Sequence, residues 1–485
     1  MVHVTAECWP YARSGGLGEA VSTLAAHQAR GGQAVSIVLP AYRSVREAGY
    51  ALEPMTRHFN VRIGSRDERV RLLRLAGRAS GPHVYFVEHP DFTERDGLYG
   101  ENGDEYADNP RRFALFGIAA LAAMPRIGPS ARVLHLHDWH AALSVAYLRT
   151  AFGASDYHRR LAVVLSVHNA GYQGHCARET LPALGLPESL YDWRLFEWYG
   201  RVNLLKGGLA LADAVVTVSP THAKELRTEQ GGFGLHGAFD ALGDRLHGIV
   251  NGIDQRTWCP AVDPYLPAPY TSMELAGKRR CKAELQRAFG LPERGDVAVV
   301  AMCARLTAQK GLDLLLSSEL LGRRDIQFLF LGEGEARYAR ALKARASLAP
   351  EQVAVRFDFA DPLEHLLIAG ADLLLAPSVY EPCGLTQMRA QRYGTVPVAH
   401  RVGGLADTIE DGVTGFLFTS FTRQALERTM ARSLECFRDA PAWRSIMRAA
   451  MARDFGWERS ALEYLSLYRR AIARVSGIAV ARALG

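Results

Sequence analysis

Two cations in the second half of the chain, Arg305 and Lys310, have the chemistry and spacing to bind a diphosphate. Arg305 offers a planar fork of donors, whereas Lys310 offers a mobile point charge, so the two side chains suit different tasks. Charge builds up on a diphosphate as a sugar departs from it, and fixed cations stabilise that charge. Either residue alone could be an ordinary surface cation. Their occurrence together, beside Gly311, favours a diphosphate site.

A second segment of the same half begins at Glu381 and continues through Cys383, Gly384 and Leu385. The Glu381 carboxylate could accept hydrogen bonds from sugar hydroxyls, and the amides of Gly384 and Leu385 would add donors. A carboxylate that caps a turn is the alternative interpretation. Cys383 has no histidine beside it in the sequence, so we expect it to be a small packing residue rather than a nucleophile.

Two glycine-rich loops are candidates for phosphate-binding backbone amides. Gly15 and Gly16 form one loop near the start of the chain, and Gly403 and Gly404 form the other. Both precede helical patterns, and the amides at a helix N-terminus bind anions. Each loop alone could be a simple turn, but the repeated occurrence adds weight to the phosphate interpretation.

A cluster of polar and aromatic residues lies near the middle of the first half, where His135, His137, Asp138, Trp139 and His140 follow one another closely. A metal site is one interpretation. The spacing does not place two histidines on one helical face with a third ligand nearby, and no cysteine supports such a site. We therefore favour a polar and aromatic wall that contacts a sugar.

Length and composition are those of a soluble enzyme with two domains. The chain has 485 residues, 48% of them hydrophobic and 22% charged, with a net charge of +6. No basic segment with interleaved aromatic residues indicates nucleic-acid binding, and neither a signal peptide nor a membrane span is expected. The seven cysteines are scattered without paired spacing, which favours a reducing, cytoplasmic location.

Short β-branched runs alternate with longer helical patterns, which indicates parallel sheets covered on both faces. The first half has strand candidates at residues 35–40, 132–136, 162–167 and 214–218, and helical patterns at residues 112–124 and 141–150. The pattern restarts with strands at residues 297–303, 326–331, 353–357, 373–376 and 396–399, and helices at residues 311–320, 336–346 and 385–393. Two successive doubly wound α/β units explain this better than one large sheet.

We expect an N-terminal domain over residues 1–254 and a C-terminal domain over residues 255–456. Residues 457–485 follow as a helical segment that could cross back to the first domain or cap the second one. Ligands of parallel α/β sheets bind beyond the carboxyl ends of the strands. Most of the candidate residues above follow predicted strands at such positions.

The motifs resemble those of the bacterial glycogen synthases and plant starch synthases, which are ADP-glucose-using, retaining GT-B glycosyltransferases. The resemblance extends over essentially the whole chain. It rests on residues 14–18, 106–109, 137–140, 167–169, 218–221, 251–254, 305–307, 309–311, 381–386 and 403–408. It implies two Rossmann-like domains that face an interdomain cleft, which closes around the substrates.

The family implies a hexosyltransferase that moves glucose from ADP-glucose to the non-reducing end of an α-1,4-glucan, with no metal or organic cofactor. Catalytic roles carry over to His168, Asp138, Arg305, Lys310 and Glu381. Donor-binding roles carry over to Arg13, Gly15, Gly16, Asn251, Arg305, Lys310, Phe359, Glu381, Cys383, Gly384, Leu385, Gly403, Gly404 and Leu405. Acceptor-binding roles carry over to Tyr106, Trp139 and Asn169.

The chain departs from the family pattern in its first loop, where Arg13 replaces the usual lysine and Glu19 the usual aspartate. Both changes keep the charge but alter its reach. Two alternatives remain at this point: a related GT-B enzyme that uses UDP-glucose or another nucleotide sugar, and a weakly active glucan-binding paralogue. No carboxylate in the sequence stands out as a nucleophile for double displacement.

Overall fold

The computed structural model describes residues 1–77, 80–101 and 103–484. The chain forms two compact units, of which the first contains Met1–Gly252 together with the segment from Trp457 onward, and the second contains Ile253–Gly456. Among the described helices, none combines the length and the apolar character needed to cross a bilayer.

The first unit is built on a large, mostly parallel sheet. Its strands and those of two small sheets are β1 (Val2–Val4), β2 (Ser36–Pro40), β3 (Leu52–Pro54), β4 (Phe59–Ile63), β5 (Arg66–Leu75), β6 (His83–Glu88), β7 (Gly100–Glu101), β8 (Asp104–Glu105), β9 (Val133–His137), β10 (Ala162–Val167), β11 (His175–Ala177), β12 (Glu197–Trp198), β13 (Arg201–Asn203), β14 (Ala214–Thr217) and β15 (Leu246–Gly248). In the described residues the large sheet has the order β15-β14-β10-β9-β1-β2-β6-β5-β3, with β4 paired to β5.

Helices cover this sheet because their apolar residues pack against strands that are buried on both faces. They are α1 (Gly16–Arg30), α2 (Arg43–Glu47), α3 (Pro90–Thr93), α4 (Asn109–Ile127), α5 (Asp138–Arg149), α6 (Asp156–Arg159), α7 (Leu204–Leu211), α8 (Pro220–Glu225) and α9 (His236–Asp240). The predicted parallel sheet is therefore confirmed from β15 to β6.

One edge of the first sheet differs from the prediction because β3, β4 and β5 run antiparallel to their neighbours. A two-residue turn at Gly64 and Ser65 joins β4 to β5, and Gly64 has a φ of +57°, which suits a tight hairpin turn. Such short connections join antiparallel strands, whereas parallel strands need a longer crossover.

The second unit is a smaller doubly wound sheet, as predicted. Its elements are α10 (Ala276–Ala288), β16 (Ala298–Cys303), α11 (Leu312–Ser317), β17 (Ile326–Leu331), α12 (Ala336–Leu348), β18 (Val353–Arg356), α13 (Asp361–Gly370), β19 (Leu373–Ala376), α14 (Thr386–Arg392), β20 (Val396–His400), α15 (Gly403–Thr408), β21 (Phe416–Phe418), α16 (Arg423–Arg438) and α17 (Ala440–Met451). The strand order is β18-β17-β16-β19-β20-β21, and every pairing in this sheet is parallel.

The last helix, α18 (Trp457–Leu484), packs on the first unit. Trp457, Tyr464, Leu467 and Tyr468 share one helix face and contact a cluster that includes residues of β9, β10 and β14. Ser460 Oγ also donates a hydrogen bond to the Val250 carbonyl at 2.6 Å. The apolar face of this amphipathic helix thus covers one face of the large sheet.

Candidate active site

The polar residues predicted in the second half lie at one edge of the second sheet. Strands β16, β19 and β20 are neighbours, so their carboxyl ends meet at that edge. Arg305 follows β16, Glu381 follows β19 and Gly403 follows β20. The parallel topology therefore brings together three segments that are far apart in the sequence.

Lys310 and Glu381 form an ion pair, with 2.6 Å between Nζ and Oε2. Ser378 Oγ donates to the same carboxylate oxygen at 3.0 Å. The close approach depends on Gly311, whose φ is +72° and where a Cβ atom would lie 1.8 Å from the Pro377 carbonyl oxygen. The glycine thus allows the segment after β16 to pack against the segment after β19.

The second glycine loop packs against the same turn. Gly404 N donates to the Glu381 carbonyl at 3.0 Å, and a Cβ atom on Gly404 would lie 2.1 Å from the Cys383 carbonyl oxygen. Gly384 has a φ of +70°, a conformation that most residues avoid. Leu405 and Cys383 are buried beneath the loop. The burial of Cys383 agrees with the expectation of a small packing residue.

Two other predicted residues of this unit are exposed. The Arg305 guanidinium makes no hydrogen bond or ion pair within the part of the chain that the structure describes, so it remains available to an anion. Phe359 follows β18 and has 41% of its surface exposed. Both residues lie after strands of the same sheet.

A second group of candidate residues lies at the carboxyl ends of β9 and β10 in the first unit. Asp138 begins α5 directly after β9, and His168 directly follows the neighbouring strand β10. Asp138 Oδ1 accepts a hydrogen bond from the His168 backbone N–H at 2.6 Å. Asp138 has a φ of +56°, an uncommon conformation for a residue other than glycine.

Burial shifts the ionisation of both residues. It raises the pKa of Asp138 to about 7, although the backbone N–H groups of His168 and Asn169 oppose this shift by stabilising the carboxylate. Burial lowers the pKa of His168 to about 4. At neutral pH, therefore, His168 is uncharged and Asp138 is close to its midpoint of ionisation.

Glu7 holds the first glycine loop in place. Its Oε2 accepts from the Ser14 backbone N–H at 2.8 Å, and its Oε1 accepts from Ser14 Oγ and from the Tyr99 hydroxyl, both at 2.7 Å. The side chain is 3% exposed, and these hydrogen bonds compensate for the burial of its oxygen atoms. Gly15 and Gly16 follow Ser14, and Gly16 is the first residue of α1.

Comparisons with known proteins agree with this geometry. Residues 1–241 match the family model of the starch synthase catalytic domain, and residues 286–447 match that of the glycosyl transferases group 1. A glycogen synthase from Anaeromyxobacter dehalogenans (strain 2CP-1 / ATCC BAA-258) is 43% identical, over 97% of this chain and 98% of its own length. The chain belongs to the glycogen synthase family.

Solved structures support the same family and fold. The catalytic domain of starch synthase IV from Arabidopsis thaliana, bound to ADP and acarbose, is 30% identical with a TM-score of 0.87, covering 97% of this chain and 99% of that one. A sucrose-phosphate synthase from Thermosynechococcus elongatus is 18% identical with a TM-score of 0.62, covering 98% and 99%, and shows the fold alone. The fold of this glycogen synthase family member is thus GT-B.

One predicted acceptor residue of this glycogen synthase family member is buried. Trp139 is 5% exposed, and its ring packs edge-on against Phe113 and closely against Gly174. It is therefore buried among core residues, and the predicted contact of Trp139 with a sugar stays a prediction. The residue is buried because it lies within α5, a helix whose residues are buried from Asp138 to Leu148.

The remaining predicted residues of the first unit are accessible to different degrees. Arg13 is exposed, and Asn251 is buried beside the end of the first unit. Tyr106 is half-buried, and its hydroxyl donates to Glu101. Asn169 is half-buried as well, and its Oδ1 accepts from the Gly171 backbone N–H at 2.9 Å.

Three polar residues at these sites, Glu7, Gln28 and Ser378, were not predicted from the sequence. Glu7 follows β1 and Ser378 follows β19, so the strand-end rule that found Asp138 could also have found them. Gln28 gives no such signal, because it lies inside α1 and looks like an ordinary helix residue.

The histidines of the first unit form a buried cluster in which His3, His135 and His137 offer nitrogen atoms within 4.8 Å of one another. These atoms could in principle surround a metal ion. Each ring nitrogen of the three histidines is already within hydrogen-bond distance of another described side chain, however. The arrangement is thus satisfied as a hydrogen-bond network.

Proposed function

We propose that this protein transfers glucose from ADP-glucose to O4 at the non-reducing end of an α-1,4-glucan, with retention at C1. The observation that carries the proposal is the Lys310–Glu381 pair at adjacent strand ends, packed against Gly403 and Gly404. It joins a cation for a diphosphate, a carboxylate for sugar hydroxyls and backbone amides in one place. The curated relatives named glycogen synthase and the starch synthase structure with ADP and acarbose support this choice of substrates.

The roles of the residues follow from their chemistry. Arg305 and Lys310 stabilise the negative charge of the departing diphosphate. Glu381 accepts hydrogen bonds from the glucosyl hydroxyls, and its pairing with Lys310 keeps both side chains oriented before the substrate arrives. His168 and Asp138, at the strand ends of the first unit, offer a ring nitrogen and a carboxylate for sugar hydroxyls.

Retention is explained best by a front-face reaction. The bond between C1 and the diphosphate oxygen breaks, the bond between C1 and the acceptor O4 forms on the same face, and the O4 proton passes to the diphosphate oxygen. No protein nucleophile is needed in this step, so the side chains contribute positioning and charge stabilisation.

A comparison of donors tests the proposal. We expect glycogen to be elongated with ADP-glucose, and kcat/KM for UDP-glucose to be at least roughly tenfold lower, the scale of one poorly satisfied polar contact. A preference for UDP-glucose would support the related nucleotide-sugar transferase instead. Binding of glycogen without turnover of any donor would identify a glucan-binding paralogue.

We also propose that catalysis needs no metal ion or organic cofactor. The hydrogen bonds that engage the ring nitrogens of His3, His135 and His137 support this view. Exhaustive treatment with EDTA, followed by removal of the chelator, is therefore expected to leave kcat unchanged. Stoichiometric zinc in the purified protein, with activity lost on its removal and restored by zinc alone, would contradict the proposal.

We also propose that the protein is located in the cytoplasm. This location is supported by the seven cysteines, none of which forms a disulfide bond. A fluorescent fusion expressed in the native host would test it by microscopy and fractionation.

A further inference from the structure

A continuous line of buried hydrogen bonds joins helix α1 to His168. Gln28 Oε1 lies 2.9 Å from His3 Nε2, His3 Nδ1 lies 3.0 Å from His137 Nε2, and His137 Nδ1 lies 3.0 Å from His168 Nε2. Gln28, His3 and His137 are each at most 2% exposed. Strand pairing fixes the geometry, because His3 on β1 lies directly opposite His135 on β9 and therefore on the same face as His137.

The hydrogen bonds of this line all run in one direction, in which each histidine donates toward Gln28. The Gln28 amide oxygen can only accept a hydrogen bond, so His3 donates from Nε2. Burial lowers the pKa of His3 to about 4, which makes its ring neutral and its Nδ1 an acceptor. His137 must then donate to it from Nε2, and His137 is neutral as well because burial lowers its pKa far below the usual range.

The same reasoning gives the tautomer of His168, the last residue of the line. His137 Nδ1 is an acceptor, so His168 donates to it from Nε2. His168 is neutral, which leaves the lone pair on its Nδ1 unused within the described residues. In the same amide orientation, Gln28 Nε2 donates to the Tyr468 hydroxyl at 3.0 Å.

The branch through Tyr468 has a consistent direction. The Tyr468 hydroxyl lies 2.8 Å from His135 Nδ1, and His135 Nε2 lies 2.7 Å from Ser166 Oγ. With Tyr468 accepting from Gln28, its own proton goes to His135 Nδ1, and His135 donates from Nε2 to Ser166. The ring nitrogens of His3, His135 and His137 thus each have a partner of the opposite kind.

We propose that Gln28 is a positioning residue that acts through His3 and His137 to fix His168 as its Nε2–H tautomer, so that His168 Nδ1 accepts a hydrogen bond from a hydroxyl of the transferred glucose. The contact with glucose rests on the proposed function, whereas the tautomer does not. A reversed line would present an N–H group at His168 Nδ1. Gln28, which cannot reach the substrate through its buried amide, would thereby decide whether His168 accepts or donates.

Nitrogen NMR of histidine-labelled protein tests the tautomer directly. Two-bond ¹H–¹⁵N correlation spectra distinguish Nε2–H from Nδ1–H rings, and the His168 signals are assigned by their loss in His168→Ala. We expect the Nε2–H tautomer for His3, His137 and His168 in the wild-type protein at neutral pH. An Nδ1–H pattern for His168 would overturn the proposal whatever the enzyme's donor or acceptor.

The variant Gln28→Met removes the acceptor that sets the direction while keeping a side chain of similar length. We expect His168 to lose its single tautomer and kcat/KM with ADP-glucose to fall roughly tenfold, the scale of one hydrogen bond to substrate. The matched control is Thr217→Val, which removes the buried hydrogen bond from Thr217 Oγ1 to the Val167 carbonyl beside His168. This control should leave both the His168 tautomer and kcat/KM unchanged.

The outcomes distinguish the control of the His168 tautomer by Gln28 from the contact between His168 and glucose. A changed tautomer with unchanged kinetics would contradict the contact between His168 Nδ1 and glucose. An unchanged tautomer in folded Gln28→Met would overturn the role of Gln28. If Gln28→Met does not fold, Gln28→Glu is the second variant: it keeps an acceptor oxygen and should keep the wild-type tautomer of His168, and a changed tautomer there would overturn the role of Gln28. Complete absence of glucosyl transfer in wild-type protein would refute the proposed function and leave the tautomer result standing.

Discussion

Replacement of Lys310 by alanine is expected to lower kcat by roughly 10²-fold or more, the scale of losing one group that stabilises charge in the transition state. Lys310 Nζ lies 2.6 Å from Glu381 Oε2, so the alanine variant loses the cation and also leaves Glu381 without this partner. Arg305→Ala should have a similar effect on kcat. Steady-state kinetics with ADP-glucose and glycogen measure both variants.

The double variant shows whether the two cations act on one leaving group. If they do, the losses in kcat will not add, because the remaining cation cannot work fully once the first is gone. Lys343→Ala is a suitable control, since Lys343 is an exposed lysine of the same unit that stacks over Phe357. Thermal melts confirm folding. Turnover within about threefold of wild type in either single variant would refute the diphosphate assignment, since even one hydrogen bond contributes more than this.

Buried parallel strands were the most predictable part of the fold. The predicted bounds of β10, β17 and β19 match the structure because such strands are buried on both faces and give nearly continuous apolar runs. The long helix α18 was also predicted with its observed bounds. Its packing partner could not be predicted, because an amphipathic pattern shows that a helix buries one face but not against which surface.

The antiparallel strands β3, β4 and β5 at the edge of the first sheet were not predicted, because their sequence pattern differs from that of the central strands. The ten residues of β5 include four arginines and two acidic residues, four of these six in the first half alone, since the strand is only partly buried. It therefore lacks the continuous apolar run that identified the central strands. Its pairing with β4 depends on the turn at Gly64, which is a local signal for a hairpin and not for a parallel strand.

Strand ends explain why much of the candidate site could be predicted. A polar residue after an apolar run is visible in the sequence, which is how Asp138, His168 and Arg305 were selected. The relation between His3 and His137 was not visible, because it depends on β1 lying beside β9 in the folded sheet. The burial of Trp139 was likewise set by tertiary packing, since its aromatic type suits a sugar wall and a core equally well.

Replacement of Asp138 by asparagine is expected to lower kcat/KM by roughly 10²-fold and to remove a rise in activity centred near pH 7. Burial raises the pKa of Asp138 to about 7, so the wild-type carboxylate, which accepts from the His168 backbone, becomes ionised across this range. The pKa of His168 is about 4, so that ring does not account for such a midpoint. The pH dependence of kcat/KM, measured from pH 5 to 9 for both proteins, tests this expectation.

The same shift predicts an effect on stability whose sign differs from that of a typical ion-paired carboxylate. The folded protein binds the Asp138 proton more tightly than the unfolded chain, whose ordinary pKa is 3.8. The unfolded state therefore carries fewer protons between about pH 4 and pH 7, and the free energy of unfolding falls as the pH rises through this window. Asp138→Asn should melt like wild type near pH 4 and at a higher temperature near pH 8.

A buried carboxylate outside the site provides the control for both measurements. Asp213 accepts from the Val163 backbone N–H at 2.7 Å and pairs with Arg149, so Asp213→Asn removes a buried charge far from the strand ends used for binding. Burial raises the pKa of Asp213 as well, so this variant shows how far the loss of any buried carboxylate changes the melting temperature, and it should keep the activity midpoint near pH 7. A midpoint that persists in Asp138→Asn would show that another group controls it, because asparagine does not titrate and yet tolerates the backbone φ of +56° at this position.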